Sequence, residues 1–293
     1  MNAVGTLKYL IAIIILASAF ATISAIFSHD GPGTYQHRSI RGHEVTIYGK
    51  GLYKDMSAEV APQGLAQDHV TLLIGIPLLV LSFLMSRKGS LRGRFLMAGT
   101  LGYFLVTYLF YLTMGMYNAM YLVYVISLSA SFFAFILTIS SFPGNLTSAF
   151  QPRESMGITG GFLIFTSIAI ALLWLSIIIP PLLDGTIVPR QTEHYTTLIV
   201  QGLDLAILLP CAFLSGILFI RKKPAGFLFA PVYLVFLSLL MAALTAKVIA
   251  MAILDYNVVP VIYLIPTFFI LSVLCSIDVL RNINEANMRV SED

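Results

Sequence analysis

The stretch AQDHVTLLIGIP, residues 66–77, places an aspartate and a histidine at the start of a long apolar run that contains a proline. A second stretch, IVQGLDLAILLP at 199–210, again sets an aspartate shortly before an apolar run with a proline. Each run ends on cationic residues, at 87–88 and at 221–223. Because about 20 apolar residues are needed to cross the hydrocarbon of a bilayer, both stretches predict a transmembrane helix with a carboxylate near one end.

The composition extends this prediction to the whole chain. Hydrophobic residues make up 58% of the sequence, charged residues only 11%, and the mean hydropathy is +0.89, which lies far outside the range of soluble globular proteins. The longest mixed, charged segment is 28–67, which excludes a large soluble domain. We therefore expect an all-α integral membrane protein with eight transmembrane helices, at roughly 8–27, 69–86, 95–114, 119–141, 158–180, 196–220, 226–252 and 258–280.

Lysine and arginine are distributed unevenly between alternate loops. With a cytoplasmic N-terminus, the short loops 86–94 and 221–226 fall on the inner side and carry seven of the eleven inner cations. This positive-inside bias predicts that both termini are cytoplasmic and that the protein lies in the plasma membrane, in contact with the lipid bilayer. The inner residues are Lys8, Arg87, Lys88, Arg92, Arg94, Arg153, Arg221, Lys222, Lys223, Arg281 and Arg289, and the outer ones are Arg38, Arg41, Lys50, Lys54 and Arg190.

The two halves of the chain have the same layout. In each, a span ends before Asp-Gly, an outer loop follows, and an acid precedes a Pro-containing span that closes on basic residues. Tyr-Asn then occupies the turn before the last span, at 117–118 and 256–257. An even number of spans per half predicts a tandem, parallel repeat of two four-helix units. The first span resembles a cleavable signal peptide, but its match to the fifth span favours retention.

The register of this repeat is open between two alternatives. Asp68 and Asp204 lie 19 and 17 residues before their cationic stops, which sets both carboxylates roughly 25–29 Å along a helix from the inner boundary. The alternative matches DHVTLLI (68–74) with EHYTTLI (193–199) and pairs Asp68 with Glu193. We prefer the first pairing.

The units and connections have definite expected boundaries. The first unit is 1–141 with the outer loop 28–67, the cytoplasmic linker is 142–157, and the second unit with a short cytoplasmic tail is 158–293. Within the outer loop, HEVTIYGKGLYK (43–54) alternates apolar and polar residues before a glycine pair, which predicts a short strand or hairpin over the outer mouth.

Two ionisable residues inside spans are the strongest candidates for a site. Asp204 and Lys247 lie on successive helices at nearly the same height, so their charges can meet near the outer end. Interfacial placement, with Lys247 extending its charged end toward water, is the structural alternative. If the two instead point into the bundle, they belong to an outward-facing polar vestibule, and its candidate ligand-binding residues are Asp68, His69, Gln201, Asp204, Lys247, Asn118, Asn257, Tyr117 and Tyr121.

Tyrosines crowd the third and fourth spans. Tyr111, Tyr117 and Tyr121 suit an aromatic belt at the outer interface. Tyr117, Tyr121 and Tyr124 also share one helix face, which could line a cavity for an apolar or cationic ligand. The pair Ser127 and Ser131 is typical of close helix packing.

Cofactor and catalytic motifs are missing from the sequence. The five histidines and most acids fall on the outer side, but no HxxxH, HExxH or CxxC spacing occurs, so we assign no metal, cofactor or catalytic residues. The net charge of +3 is too small to indicate a nucleic-acid partner.

Three functions remain. Our preferred interpretation is a non-catalytic membrane component, such as a partner subunit, assembly factor or sensor, because no charge continues a path through the inner half of the spans. Its partner would be another membrane protein or a second copy of the chain. A small-solute or ion transporter is favoured by the tandem units and the polar outer rim. A membrane enzyme using the outer histidines and acids lacks a supporting motif.

Overall fold

The computed structural model describes residues 3–150 and 155–285. Eight helices in this part of the chain are long and apolar enough to cross a membrane, which confirms an all-α membrane protein. They are α1 (Ala3–Phe27), α2 (Val60–Arg87), α3 (Leu91–Thr113), α4 (Tyr121–Ser140), α5 (Ser155–Leu183), α6 (Ile199–Ile220), α7 (Pro224–Ile253) and α8 (Val261–Arg281). The predicted inner cations Arg153 and Arg289, with parts of the predicted linker and tail, lie outside the described residues.

Helix α2 begins nine residues before its predicted start at 69, so the outer loop ends at Glu59 rather than at 67. Its first turns contain polar side chains, so the apolar run in the sequence begins later than the helix does. Several of these residues are nevertheless buried, among them Gln67 and Asp68. They are buried with hydrogen-bond partners, which is how polar groups are accommodated away from water.

Both α2 and α6 contain a five-residue π-helical turn, at Thr71–Gly75 and at Asp204–Leu208. In each helix, a proline follows at the second residue after the π-turn, at Pro77 and Pro210. Proline lacks a backbone N–H, and π-turns release carbonyl groups that need other partners. In α6, the Leu208 carbonyl accepts a hydrogen bond from the Tyr233 hydroxyl of α7 at 2.9 Å.

Helices α3 and α7 form the centre of the molecule. In their most apolar windows, 61% and 67% of residues are buried, against 33% or less in each of the other six helices. They pack through Gly99, where a Cβ atom would clash with Val235 of α7. A small residue at this point allows the two backbones to approach closely, as in other membrane helix pairs.

The other helices surround this central pair unevenly. In the first unit, α1–α4, helix α1 packs against α2 and α4, and α3 packs against the same two helices, so the four helices form a closed ring. In the second unit, α5–α8, helix α5 packs on α6, but α5 and α8 contact each other over only a short segment. The first unit is therefore closed and the second is open between its first and last helices.

A small antiparallel hairpin lies at one end of the bundle, which we call the hairpin end. Strand β1 (Tyr35–Arg38) pairs with β2 (Glu44–Ile47), and β2 lies within the segment predicted to form a strand. After β2 the chain turns at Gly49, whose φ of +70° and direct packing on the Gly33 backbone leave no room for a side chain.

The α5–α6 connection covers this hairpin. The Arg41 guanidinium donates to the carbonyls of Tyr195 and Thr196, both at 2.8 Å. The Ser57 backbone N–H donates to the Tyr195 hydroxyl at 3.2 Å. We call this two-layered structure the cap. It ties the two units together at the hairpin end.

The opposite end of the bundle carries the basic loops and is called the basic end. Arg92 and Arg94 donate to the carbonyls of Ile283 and Ser141, at 2.7 and 2.6 Å. These contacts satisfy carbonyls after helix ends, where cations are favoured.

Candidate functional site

The buried carboxylate of Asp68 forms the first part of the site. Its side chain is 1% exposed. The Tyr53 hydroxyl donates to one carboxylate oxygen at 2.6 Å and the Tyr111 hydroxyl donates to the other at 2.9 Å. Tyr53 comes from the loop before α2, and burial, followed by the negative charge of Asp68, raises its pKa well above the usual range. Two phenols therefore hold a carboxylate inside the protein by charge-assisted hydrogen bonds.

A second set of polar contacts fixes this part of α2 to α3. The Gln67 amide donates to the hydroxyls of Tyr103 and Thr107, at 2.8 and 3.2 Å. The hydroxyls of Thr71 and Tyr103 lie 2.9 Å apart. Because Tyr103, Thr107 and Tyr111 follow at intervals of four residues, they share one face of α3. This face orients the helix turn that carries Asp68.

Asp204 forms the second part of the site, at the first position of the π-turn in α6. It is half-buried and accepts a hydrogen bond from the Trp174 indole N–H at 2.8 Å. The π-turn interrupts the regular α-helix in this segment of α6. Such π-turns occur frequently at functional sites. Asp68 accepts a hydrogen bond from a loop hydroxyl, that of Tyr53. Among the hydrogen bonds of the described residues, Asp204 accepts none of this kind.

Lys247 of α7 lies within electrostatic range of both Asp68 and Asp204. Among the contacts of the described residues, it forms no direct ion pair with either carboxylate. The three residues come from α2, α6 and α7, and hence from both units. With all three ionised, two negative charges face one positive charge. We call these three residues the charge cluster.

Three other predicted site residues take different positions. His69 is exposed, and its Nδ1 lies 2.8 Å from the Leu65 carbonyl of its own helix, so it is not brought into the cluster. Gln201 is half-buried in α6, one turn before Asp204. Asn257 is exposed and accepts the Val259 backbone N–H at 3.2 Å, which makes it a turn residue.

The α3–α4 turn carries the remaining predicted residues. The Asn118 side chain accepts the Met120 backbone N–H at 2.9 Å, as Asn257 does in the matching turn. Tyr117 is 77% exposed and its ring lies 4.9 Å from that of Tyr121. These three residues line a cavity beside Tyr111, whose hydroxyl reaches Asp68. Tyr111 is thus part of the site and not only of an interfacial belt.

Four of the remaining outer acids and histidines, Glu59, Glu193, His37 and His194, lie in or beside the cap. Burial raises the pKa of Glu59, with a further contribution from the charge of Glu193, and burial also raises the pKa of Glu193. Burial lowers the pKa of His194, whose ring lies 6.1 Å from that of His37. Among the described residues, no three His, Cys, Asp or Glu side chains are grouped so as to hold a metal ion.

Sequence reasoning missed Tyr53 and Trp174. Tyr53 reaches Asp68 through a loop path that depends on the glycine turns, which no local pattern reveals. Trp174 is the only tryptophan of the chain and lies in the middle of an apolar run. A tryptophan away from both interfaces was an available signal, because its buried N–H needs an acceptor.

The chain was compared with protein family models, with curated proteins and with solved structures, and no match was found in any of the three.

Proposed function

We propose that this protein binds a small solute at the hairpin end and moves it across the membrane. The charge cluster carries the proposal, because it joins ionisable side chains of three helices and both units inside the bundle. Ionisable groups within spans are costly and are typical of ion or substrate paths. A purely structural role would be served as well by apolar side chains of similar volume, since buried ion pairs contribute little net stability.

Buried hydroxyls lie inward of the hairpin end. The hydroxyls of Ser18, Ser127 and Ser131 are buried between α1 and α4 without a hydrogen-bond partner. Ser127 and Ser131 lie about 9 and 15 Å along α4 from its first residue. Uncharged hydroxyls therefore extend from the hairpin end toward the middle of the bundle, where the sequence offers no charge. This favours transport over a purely non-catalytic component.

We also propose that the two units are related by duplication. The π-turns, the helices after them and the next helices all start 133 positions apart, at Thr71 and Asp204, Ile76 and Leu209, and Leu91 and Pro224. In this register Asp204 corresponds to Thr71 and not to Asp68, so the preferred pairing of Asp68 with Asp204 is displaced by about one helical turn. The alternative pairing of Asp68 with Glu193 is not supported. Each unit then contributes one acid, at adjacent turns.

The orientation is a further part of the proposal. With the basic end cytoplasmic, the positive-inside rule is obeyed and the hairpin end faces outward in the plasma membrane. Cysteine labelling tests this in a variant whose two native cysteines are replaced by alanine. Ile40→Cys in the hairpin and Lys88→Cys at the basic end, both exposed positions, should react from opposite sides. Reaction of both from the outside would refute the orientation.

The test of transport uses the full chain in proteoliposomes. Charge movement is recorded on a solid-supported membrane after rapid jumps in the concentration of alkylammonium ions, alkali ions, amino acids or carboxylates. We expect a current for at least one class, which Asp204→Asn and Lys247→Met abolish. Asp184→Asn, which changes an exposed loop acid, is the matched control and should retain it. Absence of current for every class would contradict transport.

A non-catalytic component is the second candidate. It is favoured because α5 and α8 make only a small contact, which leaves α8 largely uncovered. Only 11% of the residues in the most apolar window of α8 are buried. A partner subunit or a second copy of the chain on this face would complete the ring of the second unit. Native mass spectrometry from mild detergent distinguishes the alternatives: a dimer or a stable heteromeric complex favours this function, and a monomer favours the transporter.

A further inference from the structure

A cavity lies at the hairpin end of α3 and α4. Its volume is about 140 Å³, close to that of a benzene-sized site. It is lined by Tyr111, Leu112, Gly115, Met116, Tyr117, Asn118, Tyr121 and Tyr124. Four of these eight residues are tyrosines, and none carries a formal charge. We call this the tyrosine cavity.

The aromatic rings lie in two contacting pairs. The rings of Tyr117 and Tyr121 are 4.9 Å apart, and those of Tyr111 and Tyr124 are 5.3 Å apart. The faces of aromatic rings carry negative electrostatic potential and attract cations within about 6 Å of the centroid. Several rings around one cavity are the arrangement by which proteins bind alkylammonium ions.

The wall of the cavity is also polarised by a carboxylate. Tyr111 both lines the cavity and donates its hydroxyl hydrogen to Asp68. Because a hydrogen bond to an anion draws electron density onto the phenol, its ring becomes a better partner for a positive charge. When Asp68, Asp204 and Lys247 are all ionised, the charge cluster has one negative charge more than Lys247 neutralises, and a single cation nearby is then electrostatically favoured.

Tyr124 contributes its ring and not its hydroxyl to the cavity. The residue is 3% exposed, and its hydroxyl oxygen is buried behind the cavity wall, near Asn118 and Tyr53. A ligand in the cavity therefore meets the aromatic ring of Tyr124.

We propose that the tyrosine cavity binds a small alkylammonium ion, between methylammonium and choline in size. The proposal rests on the function proposed above, because Asp68 belongs to both the charge cluster and the wall behind this cavity, and it specifies the solute. The rings of Tyr117 and Tyr121 surround the alkyl groups near the mouth. The rings of Tyr111 and Tyr124 line the wall of the cavity.

Binding is tested with the full chain purified in detergent, by calorimetry and by the shift of the thermal midpoint. The probes are methylammonium, tetramethylammonium, choline, and 3,3-dimethyl-1-butanol, the neutral isostere of choline. We expect the cations to bind and raise the midpoint, and the isostere to bind at least tenfold more weakly. Equal binding of the isostere would make this an apolar pocket and would overturn the proposal, as would no shift by any cation at about 100 mM.

Variants assign the binding to the cavity. Tyr121→Leu removes a ring from the mouth and should weaken binding of all three cations at least tenfold. Tyr124→Phe keeps the ring that lines the cavity and removes only a buried hydroxyl, so it should bind all three cations about as the wild type does. Tyr256→Leu, at the matching turn of the second unit, is the control and should bind as the wild type does. Binding that is unchanged in Tyr121→Leu would overturn the proposal.

The outcome can be separated from that of transport. Cation binding that depends on Tyr121, without any current in proteoliposomes, would retain this site and contradict transport. A cation current that Tyr121→Leu leaves unchanged would retain transport and contradict this site.

Discussion

The two four-helix units handle their acids in different ways. In the first unit, α1 closes the ring against α4, and Asp68 is buried under two tyrosine hydroxyls. In the second unit, α5 and α8 barely touch, and Asp204 is half-buried with Trp174 as its donor. The same layout of spans thus supports one sealed acid and one accessible acid. A fixed charge in one unit can hold Lys247 in place while the other acid remains free to exchange partners.

The largest expected effect concerns the sealed acid. Asp68→Asn removes a charged acceptor from two buried phenols and should lower the free energy of unfolding by about 3 kcal/mol, since hydrogen bonds to charged groups contribute about 1.5–3 kcal/mol each. Asp204→Asn affects one donor in a more open place and should cost about 1 kcal/mol. Denaturing-detergent titrations of both variants provide the comparison. Equal losses would show that the two acids are held alike.

The second prediction tests the structural equivalence of the units. Gly93 and Gly226 each pack so tightly on the preceding helix that a Cβ atom would clash. Gly93→Ala and Gly226→Ala should therefore each lower the free energy of unfolding by about 2 kcal/mol through overpacking. Gly161→Ala in α5, where the added methyl meets open space, is the control and should be neutral or stabilising. A large loss at only one of the two glycines would argue against duplicated turns.

The smallest expected effect concerns the cap that joins the units. Burial lowers the pKa of His194 below 6.5, so protonation opposes the folded cap, and stability is lost as the pH falls from about 6.5 through the lowered pKa. The raised pKa values of Glu59 and Glu193 act in the opposite sense, because their ionisation above about pH 4.5 costs stability.

Thermal midpoints between pH 7 and pH 5 separate these contributions. Relative to the wild type, His194→Gln should gain stability as the pH falls, by less than about 1 kcal/mol because the ring is partly exposed. His43→Gln changes an exposed hairpin histidine and should follow the wild type. A constant difference between His194→Gln and the wild type across this range would rule out a titrating histidine in the cap.

Most of the helices could be predicted from the sequence, because an apolar run long enough to cross a bilayer is a local property. The start of α2 could not, since Gln67 and Asp68 are polar and are buried only by virtue of partners on other elements. The proximity of Asp204 and Lys247 was predictable from equal heights on adjacent helices. Asp68 was expected in the same vestibule, but its proximity to Lys247 depends on α2 packing against α7, a long-range arrangement on which sequence spacing has no bearing.

The candidate site divides in the same way. Tyr111 was predicted to be part of an interfacial belt, and only its hydrogen bond to Asp68 reveals its place in the site. Tyr103 and Thr107 share its helix face, but their hydrogen bonds to Gln67 depend on the packing of α2 on α3. Tyr53 reaches Asp68 across a glycine-rich loop, and the direction of that loop is decided by tertiary contacts with the cap.

The central claim is that Lys247 is shared by the acids of both units. Two double-mutant cycles test it most directly, pairing Lys247→Met with Asp68→Asn and with Asp204→Asn in the same unfolding measurement. Because removal of one partner strands a buried charge, each double variant should be more stable than the sum of its single changes predicts, by at least about 1 kcal/mol in both cycles. Coupling to only one acid, with additive behaviour for the other, would contradict a cluster that joins the two units.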